Sequence, residues 1–365
     1  MNQFVYTRML PALLSLLLLD ACGAAPALAP SGSAAQRHLL SAPAGPSLAS
    51  LVNVTTLAGP TNDDWGHIDA IGQAARFSGP ACLALDAART TLYAADMFCG
   101  SPRTIAVGPN AAPAVGTYPR SVMAPWGVAV APDGSLIVSD CYQQVVWRFE
   151  TSGAARIILG SPGVRGFRDG TSLRGPAPLC EWPQGVAVDA NGIVYVADTD
   201  NLALRRIEPH GNVTTIAGGH GGGYADGPAL TAKFANMGGL ACDAAGKVYI
   251  ADSRNHAVRV YDPLTKTVAT AFAGAIDGVD ADVQAVALDG AGHVYFTDGA
   301  GRRVARATLA SHLAEVVAGT GAPTTIDGKG DQACFTFPVG IAVDGARHLV
   351  YVSDFDGQCI RRICL

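Results

Sequence analysis

Asn53-Val-Thr-Thr-Leu-Ala-Gly59 returns almost unchanged as Asn212-Val-Thr-Thr-Ile-Ala-Gly218. The second copy closes a full repeat unit, whereas no unit stands ahead of the first. The last unit, ending at Leu365, stops where its own copy of the phrase is due. This pattern predicts a ring in which residues 52–59 supply the missing final strand.

Six units lie between the two ends of that ring. Their opening halves run Pro80-Ala-Cys-Leu-Ala-Leu-Asp86, Pro125-Trp-Gly-Val-Ala-Val130, Pro183-Gln-Gly-Val-Ala-Val-Asp189, Gly239-Leu-Ala-Cys-Asp243, Gln284-Ala-Val-Ala-Leu-Asp289 and Pro338-Val-Gly-Ile-Ala-Val-Asp344. Each reaches a closing aspartate, at 96, 140, 198, 252, 298 and 354. Within a unit, runs of β-branched and aromatic residues are broken by Asp, Gly or Asn, as in Val186-Ala-Val-Asp-Ala-Asn-Gly-Ile-Val-Tyr-Val-Ala-Asp198, which is a hairpin signal. A third run follows in constant register, Leu204-Arg-Arg-Ile207 matching Ile360-Arg-Arg-Ile363. A fourth ends in Ala-Gly at Gly59, Gly218, Gly274 and Gly319. Four antiparallel strands repeated six times, with no stretch of helical period, predict an all-β, six-bladed β-propeller. Closure by the N-terminal strand removes the raw edge that an open array would leave.

The recurring Pro-x-Gly-(Val/Ile)-Ala-Val-Asp, Tyr-(Val/Ile)-Ala-Asp and Val-Thr-Thr-(Ile/Leu)-Ala-Gly phrases resemble the NHL-repeat family over roughly residues 51–365. Blades 1 and 5 depart from the pattern: Cys82 replaces the expected glycine, and Gln284-Ala stands where Pro-x-Gly is expected. The resemblance implies a propeller of NHL type and a scaffold for recognition, with no cofactor.

Ahead of the ring, Arg8 precedes the apolar run Met9–Leu19, the size of an export-signal core and too short to remain as a membrane span. Residues 1–21 therefore read as a signal peptide. Leu19 and Ala21 resemble the end of a bacterial lipobox, which makes Cys22 the expected lipidated residue; Asp20 is atypical there, and cleavage near Ala25 or Ala29 is the alternative. Residues 22–50, rich in Ala, Pro and Ser, read as an unfolded tether. The expected location is the periplasm or outer membrane, on a lipid anchor, with secretion of a soluble protein as the alternative. A monomeric propeller is expected.

An oxidising compartment permits disulfides among the eight cysteines beyond Cys22. Antiparallel geometry places the start of a first strand beside the end of the second, which suggests Cys82 with Cys99, Cys334 with Cys359, and Cys141 with Cys180 across a blade junction. Cys242 and Cys364 are left as free thiols. No Cys-x-x-Cys arrangement points to zinc, and no metal is expected.

Strand polarity sorts the loops. The long connections 60–79, 160–182, 219–236 and 320–337 gather on one face with the turns after the closing aspartates, while tight turns such as Pro132-Asp-Gly134 occupy the other. Loops on a rigid scaffold carry function, so the long-loop face is the expected binding face. Trp126, Trp182, Arg254, His256 and Arg302 are its candidate ligand-binding residues, although both tryptophans stand where they could pack between blades. The closing aspartates recur in every unit and read as acceptors for turn N–H groups, not as a cation site.

Catalytic signals are weak. Gluconolactonase-type hydrolases of the same ring shape use Glu, Asn and Asp on a channel metal, and such a metal-dependent hydrolase or lyase is the alternative function. Here there are four glutamates, and only Glu181 stands at the head of a blade. The eight histidines do not recur at one blade position. A net charge of −5, with 15% charged residues, leaves no basic stripe for nucleic acid.

Overall fold

The structure, a computed structural model, describes residues 47–171, 176–276 and 279–365. The signal peptide, Cys22 and most of the tether lie outside the described residues. Six antiparallel sheets form the ring, each with its first strand innermost: Pro80–Leu85, Pro125–Val130, Pro183–Val188, Met237–Cys242, Val283–Leu288 and Pro338–Asp344. Each inner strand packs on the next, and the sixth packs on the first.

Closure follows the repeat. Blade 6 runs Pro338–Asp344, Leu349–Asp354, Cys359–Cys364 and then Asn53–Ala58, with Asn53 opposite Cys364 and Val54 opposite Ile363. Gly59 follows at φ +89°, where a Cβ would lie 2.6 Å from the Gln358 carbonyl, so glycine is required at the end of this strand. The stretch assigned to the tether yields its last residues to the ring: Leu48–Leu51 forms a helical turn capped by Ser47, with Ala49 buried.

The Pro-x-Gly phrase has a packing cause. A Cβ on Gly127 would lie 2.2 Å from the Gln184 carbonyl, and one on Gly185 would lie 2.2 Å from that of Gly238. Adjacent inner strands thus approach backbone to backbone. Hydroxyls stitch this seam: Ser139 Oγ accepts from Gly127 N at 2.7 Å and donates to the Gln184 carbonyl at 2.5 Å, and Thr297 does the same between Ala285 and Val339.

Three long loops add a short fifth strand to the outside of the blade they lead into. Gly170–Thr171 pairs with Asn212–Gly218, Gly227–Pro228 with Thr267–Ala273, and Gly328–Lys329 with Asn53–Ala58. What latches these loops is a buried arginine. In blade 3, Arg205 donates to the closing Asp198 at 2.6 Å and to the loop's Asp169 at 2.9 Å, while Asp169 also accepts from Thr215 on the outer strand. Its guanidinium lies over the Phe167 ring at 5.0 Å. Arg103, Arg259 and Arg361 repeat the clamp with Asp69, Asp226 and Asp327. In blade 5, Arg303, two residues earlier in the strand, takes over the bond to Asp298, because Ala305 fills the register position. Blade 2 carries Trp147 there instead.

Along the ring axis the lining side chains are apolar. Cys82, Leu83, Val128, Val186, Leu240 and Ile341 help line a cavity of about 20 Å³, room for roughly one water molecule.

Candidate functional site

The closing aspartates are fully buried and committed to structure. Asp198 accepts from Glu181 N, Asn201 Nδ2 and Arg205; Asp252 accepts from Ala235 N, Asn255 Nδ2 and Arg259. Each ties the backbone ahead of its blade's first strand to the turn after its second. Burial pushes Asp198 up to about 6, against the pull of its hydrogen bonds and of Arg205.

In the turns after the second strands, on the long-loop face, the residues two places past the closing aspartates are Phe98, Tyr142, Asp200, Arg254, Ala300 and Asp356, all exposed except the half-buried Tyr142. The five residues singled out from the sequence meet this set at the seams between blades. Trp126 is 7% exposed and packs on Phe355, 6.1 Å between ring centroids, while Phe355 also meets Phe98 at 5.9 Å. The Phe355 ring therefore joins blades 6, 1 and 2. Trp182, half-buried at φ +50°, lies 5.3 Å from Tyr142, and its backbone N–H donates to Gln144 Oε1.

Charge occupies the other side of the rim. Arg254 is exposed and interacts electrostatically with Asp200, which desolvation and the neighbouring Glu181 carboxylate raise above its ordinary range. Arg302 offsets the same effect at Asp356, where desolvation and Asp63 act together. His256, at φ +52°, bonds the Ala281 carbonyl at 3.1 Å beside Asp282. The five residues thus form no single cluster. They mark a rim that is aromatic from blade 6 round to blade 3 and charged from blade 3 back to blade 6.

Phe98, Phe355, Asp200 and Asp356 were not singled out from the sequence. For Phe98, Asp200 and Asp356 the available signal was their shared offset of two places from a closing aspartate; Phe355 stands one place past Asp354 and lacks it.

None of the three expected disulfides is formed in the structure, where all eight described cysteines are free. Cys82 stands in the axial wall, whereas Cys99 donates to the Gly66 carbonyl. Cys141 and Cys180 donate to the carbonyls of Ala124 and Gln144, and Cys334 bonds the Thr320 hydroxyl. Among the described residues no group of three or more His, Cys, Asp or Glu gathers as a metal site would require. No described helix is long and apolar enough to cross a membrane.

Ring, closure and rim define a six-bladed β-propeller carrying an NHL repeat motif. Residues 181–207 match the NHL repeat family. The chain is 36% identical over 156 residues, 40% of its length, to NHL repeat-containing protein 2 of Bos taurus. It spans only 14% and 21% of the length of two curated relatives it matches. Among solved structures it is similar to an auxiliary nutrient binding protein from Bacteroides ovatus, with a TM-score of 0.64 and 17% identity over 86% of this chain and 76% of that one. It is also similar to virginiamycin B lyase from Staphylococcus aureus, with a TM-score of 0.54 and 14% identity over 86% of this chain and 99% of the lyase. At these identities the likeness is one of fold.

Proposed function

We propose that this chain is an exported recognition propeller, anchored to the cell envelope through Cys22, that takes a protein or small-molecule ligand at the rim of its long-loop face. One observation carries the reading: all six blades place aromatic or charged side chains on that face, several of them meeting across the seams between blades. Tryptophan, tyrosine and arginine on rigid supports are the types that anchor binding. Likeness to a nutrient binding protein agrees with it. A metal-dependent hydrolase is less well supported, because the axial cavity holds about one water molecule and is lined by apolar side chains.

The test is differential capture from envelope extract by the immobilised ring. Phe98→Ala, Arg254→Ala and Arg302→Ala should each weaken retention, one or two of them by about 1–3 kcal/mol. Asn110→Ala and His293→Ala, on the opposite face, should leave it intact. Losses confined to these two variants would refute the rim as the site, and hydrolysis of a lactone that disappears with chelation would favour the enzyme.

A further inference from the structure

Between successive blades, on the side toward the tight turns, the ring has six equivalent clefts, and at four of them the chain fills or bridges the space itself. Between blades 1 and 2 the Tyr118 ring inserts between Tyr93 and Phe149, with centroid distances of 6.1 and 6.0 Å. Between blades 4 and 5, His312 reaches back to the Ala271 carbonyl at 2.8 Å. The helical turn Leu48–Leu51 and Val52 occupy the position between blades 5 and 6, where Gly330 N donates to the Val52 carbonyl and Asp331 N to that of Ala49. Between blades 6 and 1, Arg347 crosses to the carbonyls of Val107 and Arg89.

The cleft between blades 3 and 4 is open, with a cavity of about 620 Å³. That volume lies within the range of small-molecule sites. Its walls repeat the two aromatic positions of the first cleft. Tyr195 precedes the residue opposite the clamp arginine, as Tyr93 does: Val196 faces Arg205, and Ala94 faces Arg103. Tyr261 stands opposite the first residue of its neighbouring strand, Val248, just as Phe149 stands opposite Leu136. The register position of Tyr118, one place past the residue opposite the clamp arginine, is held here by Ile216, which is half-buried and lines the cavity, and no aromatic side chain other than Tyr195 and Tyr261 lines it among the described residues.

The mouth of this cleft adds a charge. Lys266 holds the position of His312, each directly ahead of a fourth strand and each in the left-handed region, at φ +53° and +57°. It is exposed, lines the cavity, and makes no ion pair among the described residues. The other charged groups facing the cavity are already engaged. Arg206 is paired with Glu208, and Asp189 accepts from Asn191 N at 2.9 Å and Ile193 N at 3.0 Å.

We infer that the blade 3–4 cleft binds a small aromatic carboxylate, its ring entering the open space beside Tyr195 and Tyr261, as the Tyr118 ring meets Tyr93 and Phe149 in the first cleft, and its carboxylate meeting Lys266. Ring–ring contact supplies attraction beyond simple burial, and a carboxylate on an ammonium group is among the stronger hydrogen-bonded contacts. The site is separate from the long-loop rim and does not depend on it.

Calorimetric titration of the whole protein tests this with three probes: 4-hydroxyphenylacetate, cyclohexylacetate with the same charge and no aromatic ring, and tyramine with the same ring and the opposite charge. Only 4-hydroxyphenylacetate should bind well. Lys266→Ala should raise its Kd about tenfold or more, Lys266→Arg should restore binding, and Arg254→Ala on the far face should leave it unchanged. Lys266 is exposed, so neither replacement endangers folding. The proposal is overturned if no probe binds, if tyramine binds as well as the acid, or if Lys266→Ala binds like the wild type.

Discussion

At the scale of single residues, the molecule depends on buried charge held in fixed geometry. Arg205 is fully buried between two carboxylates and an aromatic face. Removing one member of such a group leaves an uncompensated buried charge, which costs about 3–5 kcal/mol. Arg205→Met should therefore lower unfolding free energy by about that amount in denaturant titrations, whereas Arg254→Ala on the rim should change stability little. The same clamp has a pH signature. Asp198 titrates near 6 when folded against the usual 3.8, so the folded state takes up a proton that the unfolded chain does not, and the contribution of this group grows as pH falls from about 6 to about 4. It is fully present below the unfolded value and lost as pH rises through the folded one. Unfolding curves at several pH values should show Asp198→Asn with a flatter dependence across that window; an unchanged slope would mean that Asp198 stays ionised. Gly185 makes a third case. Its Cβ would strike the neighbouring inner strand's backbone, so Gly185→Ala should cost at least about 1–3 kcal/mol, by the same assay, despite the small volume added.

At the scale of elements, the chain's two described ends meet in one blade. Asn53–Ala58 lies between Cys359–Cys364 and the short strand Gly328–Lys329, so its loss exposes two edges and breaks the Thr56 bonds to Asp327. A protein beginning at residue 60 should melt well below one beginning at residue 47, and equal melting temperatures would contradict closure by this strand. This closure was legible in the sequence because the Val-Thr-Thr phrase appears at both places where an outer strand is needed. The sorting of loops to one face was legible for the same reason, since strand polarity follows from the repeat. The arginine clamp was only half visible. Arg103, Arg205, Arg259 and Arg361 each lie seven residues past a closing aspartate, a spacing present in the sequence, but their loop partners Asp69, Asp169, Asp226 and Asp327 come from upstream connections of variable length. Rim contacts such as Trp126 with Phe355 were hidden for a stronger reason. They join residues far apart in the chain that only ring closure brings together.

At the scale of the whole molecule, the ring has two unlike faces and one apolar axis. Outer strands run from the tight-turn face toward the long-loop face, so the chain enters the ring at Asn53 on the tight-turn side, beside Cys364 and Lys329. The anchor proposed at Cys22 is joined to the ring through this entry, and the strands of the ring begin only at Asn53. Both parts of this arrangement can be checked together in cells. Wild-type protein should incorporate labelled palmitate and sediment with membranes, while Cys22→Ser should lose the label and move to the soluble fraction with its melting temperature unchanged, because the ring does not use that residue. Diacyl or triacyl anchoring is needed for such stable retention, since a single acyl chain binds membranes only marginally. Absence of label on the wild type would replace the anchor with plain secretion, although the rim itself would remain open to the same capture experiment.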